Sequence, residues 1–127
     1  MRIVTALKVV DASAIAALLF GEPAGPEVVR RLDGASLAAP PLLEYELANV
    51  CLIKRRRHPE QRDALVEALR LSRRMGIQLV QVDQMAVFEL AEALRLTAYD
   101  AAYLWLARRL GAELVSLDAA LIAADAR

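Results

Sequence analysis

The sequence predicts an α/β fold: a central parallel sheet of about four strands, with helices on both faces. Two observations carry this. Alanine and leucine fill 47 of the 127 positions (25 and 22 respectively), and both are strong helix formers. Four short apolar runs, too short for helices, are each separated from the next by helical sequence, which is the order of a parallel sheet.

The elements can be justified in turn. Residues 8–11, Lys-Val-Val-Asp, read as a short buried strand ending in an acid. Residues 12–20 read as a helix closed by Gly21. Pro26 suits the first turn of a second helix, running to about Leu32 and ending at Gly34. Residues 36–39 are too few for a helix and read as a strand. Pro40-Pro41 opens a long helix over 42–56, and Pro59 opens another ending near Gly76. Residues 78–82 alternate polar and apolar and read as a third strand. Helices follow at 85–95 and from Thr97 to 110–111. A strand over 113–117 and a short helix from Asp118 complete the order β-α-α-β-α-α-β-α-α-β-α.

Composition removes several classes of function. The length fits one domain, residues 1–127. With 57% apolar and 25% charged residues the chain is not disordered. One cysteine, Cys51, excludes an internal disulfide and a multi-cysteine zinc site, and one histidine, His58, excludes a His-pair metal site. Neither a dinucleotide fingerprint nor a P-loop is present. The apolar N-terminal run from Ile3 to Phe20 is interrupted by Lys8 and Asp11, so neither an export signal nor a membrane span is expected. A free thiol suits the cytoplasm. The net charge of zero hides an asymmetry: between Lys54 and Arg74 eight basic residues face three acids, giving +5, and the remainder carries −5. A basic segment set against an acidic remainder is compatible with nucleic-acid binding.

Four acids stand where function is the alternative to structure. Asp11 and Asp118 end the first and last strands, and in an open parallel sheet ligands bind beyond the strands' carboxyl ends. Either residue could also simply cap the helix that follows. Glu46 shares a helical face with Leu42, Leu43, Val50 and Ile53, where a carboxylate is costly unless paired or metal-bound. Glu44, on the opposite side, is its runner-up. Asp100 either completes a capping box with Thr97 or points from a helix start towards the strand ends. Structural roles suffice for the rest: His58 in a loop, Tyr103 and Trp105 in the core, Cys51 as a small core residue, and Arg55-Arg56-Arg57 as a solvated helix end. Four converging carboxylates need a compensating cation. An all-oxygen set without His or Cys selects a hard ion, Mg2+ or Mn2+, and such sites commonly serve phosphodiester chemistry.

Four segments then carry a family resemblance: Val9-Val10-Asp11-Ala12-Ser13-Ala14, residues 39–50 with Glu44-Tyr45-Glu46-Leu47-Ala48-Asn49, residues 96–103 with Thr97-Ala98-Tyr99-Asp100-Ala101-Ala102-Tyr103, and Glu113-Leu114-Val115-Ser116-Leu117-Asp118. In order and spacing, from Lys8 to Ile122, the sequence resembles PIN-domain proteins, and among them VapC-type toxin ribonucleases of toxin–antitoxin pairs. The resemblance implies a PIN-like three-layer α/β/α fold and catalytic, metal-holding acids at Asp11, Glu46, Asp100 and Asp118. It further implies that Ser13 and Ser116 support the acids by hydrogen bonding. Many relatives carry one more strand after the last helix, and this sequence stops at Arg127. The implied activity is Mg2+-dependent hydrolysis of RNA by a cytoplasmic homodimer silenced by an antitoxin protein. For such a substrate the basic stretch from Lys54 to Arg57 offers a track for the RNA backbone. Two rivals remain at this point: a catalytically silent PIN-like module that binds protein, and a metal-dependent nuclease outside any toxin–antitoxin pair. A small-molecule phosphatase is disfavoured, because Ser13 stands where the usual Asp-x-Asp pattern needs its second acid.

Overall fold

The computed structural model describes residues 5–127; Ile3 and Val4, where the apolar N-terminal run begins, lie outside the described residues. Four strands, β1 (Leu7–Val10), β2 (Ser36–Ala39), β3 (Gln78–Leu79) and β4 (Glu113–Val115), form one parallel sheet in the order β3-β2-β1-β4. Between them run α1 (Ala12–Leu19), α2 (Gly25–Leu32), α3 (Leu42–Arg57), a 3-10 turn (Pro59–Gln61), α4 (Arg62–Arg73), α5 (Gln84–Leu94) and α6 (Ala98–Leu110), and α7 (Ala119–Asp125) follows β4. The PIN-like α/β architecture and the parallel sheet of four strands agree with the sequence reading. Among the described residues no helix is long and apolar enough to cross a membrane.

Every crossover is helical because parallel neighbours cannot be joined by a tight turn. As a result β1 lies in the interior of the sheet, between β2 and β4. Its Val9 and Val10 are fully buried, as are Ala39 and Val115 on the strands beside it. The main core gathers Ile15, Val28, Leu43, Leu104, Leu106 and Leu121 around this centre. A smaller cluster of Val87, Ala101 and Ala102 seats α5 on α6. At Gly25 a Cβ would stand 2.8 Å from the Ala17 carbonyl oxygen, so the close approach of α2 to α1 requires glycine there.

Three expectations need correction. The third strand spans two residues rather than five. Val80 still donates to the Ala39 carbonyl (2.9 Å), but β2 then reaches Pro40, which has no N–H to offer, and the chain leaves for Asp83 to cap α5. The fourth strand stops at Val115 rather than Leu117, because the next residues serve the site at the strand end. The helix predicted from Pro59 is split, with a 3-10 turn before α4.

The phase of α3 also differs from expectation. Its buried residues are Leu43, Leu47 and Cys51, a single i, i+4, i+8 stripe. Ile53 is exposed, and Glu46 sits half-buried beside the stripe rather than within it. The expected apolar neighbours of Glu46 were therefore partly wrong.

Lys8, the charge that interrupts the apolar N-terminal run, is paired. It donates to the Arg31 carbonyl and lies 3.3 Å from Glu113, its neighbour across the β1–β4 ladder. Arg31 donates to the same carboxylate at 3.0 Å. The Arg31 hydrogen bond, with Lys8 behind it, holds Glu113 below its ordinary value of 4.5. A lowered carboxylate stabilises the fold above its unfolded value, and this is lost as pH falls through the folded one. Glu113→Gln is expected to lower stability at neutral pH by ~0.2–1 kcal/mol, the range of exposed ion pairs. Melting curves of the two proteins should converge as pH is taken below 4.5. A difference that persists unchanged in strong acid would mean that Glu113 acts through packing rather than charge.

Candidate active site

The site is built on the end of β1. Asp11 follows the strand directly, is 5% exposed, and caps α1. Its Oδ1 accepts from the Ala14 amide (3.0 Å) and from Ser13 Oγ (2.7 Å), and its Oδ2 accepts from Ser116 Oγ (2.6 Å). Both serines are used twice. Ser13 Oγ accepts from the Leu117 amide (2.9 Å), and Ser116 Oγ accepts from the Asp118 amide (3.0 Å). The segment after β4 is thereby fastened to the segment after β1, with Asp11 at the centre.

Asp118 caps α7, its Oδ1 accepting from the Leu121 amide at 2.9 Å. The capping role foreseen for Asp11 and Asp118 is thus realised in both. It does not exhaust either carboxylate: Oδ1 of Asp11 accepts twice, but its Oδ2 accepts only from Ser116, and among the described residues Asp118 accepts only on Oδ1.

Asp100 is different. Thr97 caps α6 and its Oγ1 accepts from the Asp100 amide (3.1 Å), but among the described residues no bond returns from the Asp100 carboxylate to the Thr97 amide. Only half of a capping box forms, and the Asp100 carboxylate remains available. Burial, then the charges of Asp118 and Asp11, push Asp100 above its ordinary 3.8.

Glu46 receives the hydroxyl of Tyr103 on Oε1 at 2.6 Å. Burial pushes Glu46 above its ordinary value; the Tyr103 hydrogen bond opposes this, and the charges of Asp11 and Asp100 add to it. The same setting pushes the Tyr103 phenol far up, by burial first and Glu46 next. Tyr103 was read from sequence only as core. That holds for its ring, which is 1% exposed, but a buried phenol needs a hydrogen-bond partner. This need was the available signal, and the partner lies 57 positions away in sequence. Glu44 faces elsewhere: it lines a cavity of about 470 Å3 with Leu43, Leu47, Leu69 and Ile77, a cavity none of the four acids lines.

Glu46 thus feels the charges of Asp11 and Asp100, and Asp100 those of Asp118 and Asp11, so the four acids share one electrostatic neighbourhood centred on Asp11 and Asp100. Among the described residues no three acidic, histidine or cysteine side chains close into a ready-made cation cage. Mg2+ does not require one, because it keeps several waters and takes one or two carboxylates with substrate phosphates. The oxygen-only donor set fits a hard ion: the free carboxylate of Asp100 and the remaining lone pair of Asp11 Oδ2 could hold it, with Asp118 and Glu46 beside it.

Fold and site together define an α/β protein with clustered carboxylates at the open edge of a parallel sheet. The PIN domain model matches residues 8–126, and the chain belongs to the PIN-domain family. The fold is similar to the crystal structure of PAE2754 from Pyrobaculum aerophilum, with a TM-score of 0.77 and 26% identity over 94% of this chain and 84% of that one. It is also similar to Mycobacterium tuberculosis VapC20, described as a sarcin-ricin loop cleaving toxin, with a TM-score of 0.65 and 18% identity over 92% and 94% of the two chains. No curated protein matches the chain.

Raised carboxylates work against the fold as they ionise, so stability conferred at low pH is lost as pH rises from the ordinary values, 3.8 for Asp100 and 4.5 for Glu46, through the raised ones. Metal-free Asp100→Asn should therefore melt at the same temperature as the parent or higher at neutral pH. Mg2+ or Mn2+ should raise the parent's Tm and raise that of the variant less. A large loss of Tm in metal-free Asp100→Asn would show that the carboxylate is structural.

Proposed function

We propose that this protein is a Mg2+-dependent endoribonuclease, with Mn2+ as a substitute ion, acting as the cytoplasmic toxin of a toxin–antitoxin pair. The observation that supports the proposal is that Asp100 and Glu46 are raised by burial and by the charges of neighbouring acids, Asp11 and Asp118 among them, in a chain of the PIN-domain family. VapC20, the sarcin-ricin loop cleaving toxin, has a similar fold.

On this reading Asp11 and Asp100 hold the principal ion, directly or through water. When bound, the ion lowers the pKa of water and neutralises charge developing on the phosphate. Ser13, Ser116 and the Ala14 amide fix Asp11, so its orientation is set before substrate arrives. Tyr103 holds Glu46 by Oε1, leaving Oε2 to orient the attacking water and accept its proton. Asp118 completes the negative edge. Attack in line on phosphorus breaks the bond to the 3′ oxygen, which takes a proton from solvent water, and leaves a 5′-phosphate and a 3′-hydroxyl.

Purified protein should cleave RNA with Mg2+ or Mn2+ and stop in EDTA; undiminished cleavage in EDTA would overturn the proposal. Glu46→Gln should abolish cleavage, and Glu44→Gln should leave most of it. The opposite pattern would place the active carboxylate on the other side of α3.

A homodimer and an antitoxin partner belong to the same proposal. Apolar side chains stay exposed on α5 and close to the site: Met85 at 65%, Phe88 at 48%, Tyr45 at 77% and Tyr99 at 65%. Apolar surface of this kind marks interaction sites when it is contiguous. An arginine from an antitoxin could pair with two of the acids and displace the ion. Sedimentation at micromolar concentration should give about twice 13.9 kDa, and a neighbouring antitoxin should suppress cleavage on co-expression. A clean monomer mass would reject the dimer.

A further inference from the structure

We propose that the outer corner between α3 and α4 is a docking surface for the phosphate backbone of a single RNA strand, with Arg55, Arg56 and Arg57 as its contacts. The inference rests on the ribonuclease reading and adds where the strand runs after it leaves the acids.

The two helices form an antiparallel hairpin. The Cys51 thiol lies 3.8 Å from the Leu65 carbonyl, and nearer the acids Leu43 and Leu47 share a cavity with Leu69 and Ser72. The turn of the hairpin is therefore its far end, and residues 55–64 are all exposed there. Glu46 and the arginines sit on the same helix. Arg57 follows Glu46 by eleven residues, close to three turns, so the two share a face about 16 Å apart. At about 3.4 Å per stacked nucleotide this is a run of about five.

Arg73, Arg74, Arg95 and Arg109 are also exposed and, among the described residues, outside any ion pair; what separates Arg55, Arg56 and Arg57 is that three such arginines stand consecutively at the end of the helix that carries Glu46. Arg30 pairs with Glu27, Arg70 with Glu67, and Arg31 with Glu113. Lys54 lies over the Phe20 ring, 4.9 Å from its centroid, and Arg62 has Asp63 at 3.9 Å. Among the described residues no carboxylate lies within ion-pair distance of Arg55, Arg56 or Arg57. Guanidinium groups bind phosphate through paired donors. Phosphate entering the site meets repulsion from four carboxylates, and a cationic strip at the far end of α3 offsets it by drawing the strand along that helix. The competing role, in which arginines merely complement the negative end of the helix, would move the melting temperature and leave RNA binding untouched.

The test is fluorescence anisotropy of a labelled single-stranded oligoribonucleotide, measured in EDTA so that no cleavage occurs, across a series of salt concentrations. Each phosphate contact on a single strand contributes about −0.7 to the slope of log affinity against log salt. The triple variant Arg55→Gln, Arg56→Gln, Arg57→Gln should reduce the slope by about 2 and weaken binding more than about tenfold at low salt. The corresponding triple Lys variant should keep the slope. The double variant Arg30→Gln, Arg70→Gln, which removes arginines already paired, should keep it too. The proposal is overturned if the slope does not change, if the paired-arginine control loses as much, or if the parent binds no RNA. It is equally overturned if a polyglutamate peptide, and not RNA, depends on these arginines, since the corner would then dock an acidic protein. Failure of the ribonuclease reading would appear separately, as a parent protein that binds RNA with the full slope and does not cleave it when Mg2+ is restored.

Discussion

The structure turns on one buried carboxylate. Asp11 is removed from water at the end of an interior strand, where an unpaired charge would destabilise the fold by several kcal/mol. It is kept there by three donors: one amide from the helix it caps and two serine hydroxyls from different segments. Those hydroxyls accept in turn from the amides of Leu117 and Asp118. The ends of β1 and β4, more than a hundred residues apart in sequence, are thereby locked in register around a charge. Loss of Ser116 would leave Oδ2 without its donor, at a cost of about 1–3 kcal/mol or more, whereas Oδ1 would keep the Ala14 amide after loss of Ser13.

This arrangement lets the fold and the chemistry share residues. Asp11 and Asp118 begin helices and also point their remaining lone pairs beyond the strand ends. Thr97 caps α6, which frees the Asp100 carboxylate from the capping it was equally suited to perform. Tyr103, one turn further along α6, fills the core with its ring and reaches Glu46 with its hydroxyl. Two acids, Glu46 and Asp100, remain raised by burial and by their neighbours, and this is where tension is concentrated. A cation relieves it, and so does protonation.

Much of the fold was legible because each element carries its own start and stop. Gly21, Gly34, Pro40-Pro41 and Gly111 mark boundaries within a residue or two of those observed, and Gly76 lies three beyond the end of α4. What sequence could not supply was non-local. The length of β3 is set by where β2 runs into Pro40, and the phase of α3 is set by α4 packing against Leu43, Leu47 and Cys51. The four acids could be singled out as strand-end or misplaced carboxylates, and the family resemblance ranked Glu46 above Glu44. The bond from Tyr103 to Glu46 was out of reach, because an apolar helix announces that a tyrosine is buried and not which distant acid its hydroxyl will meet.

The central claim is that the carboxylates around Asp11 form one hard-metal site. Anomalous diffraction from a crystal grown with Mn2+ measures this directly. The account predicts a peak at the edge where β1 and the start of α6 meet, within bonding distance of an oxygen of Asp11 or Asp100, with its other ligands water or neighbouring carboxylates. A peak remote from these acids, or none at a Mn2+ concentration that supports RNA cleavage, would contradict it.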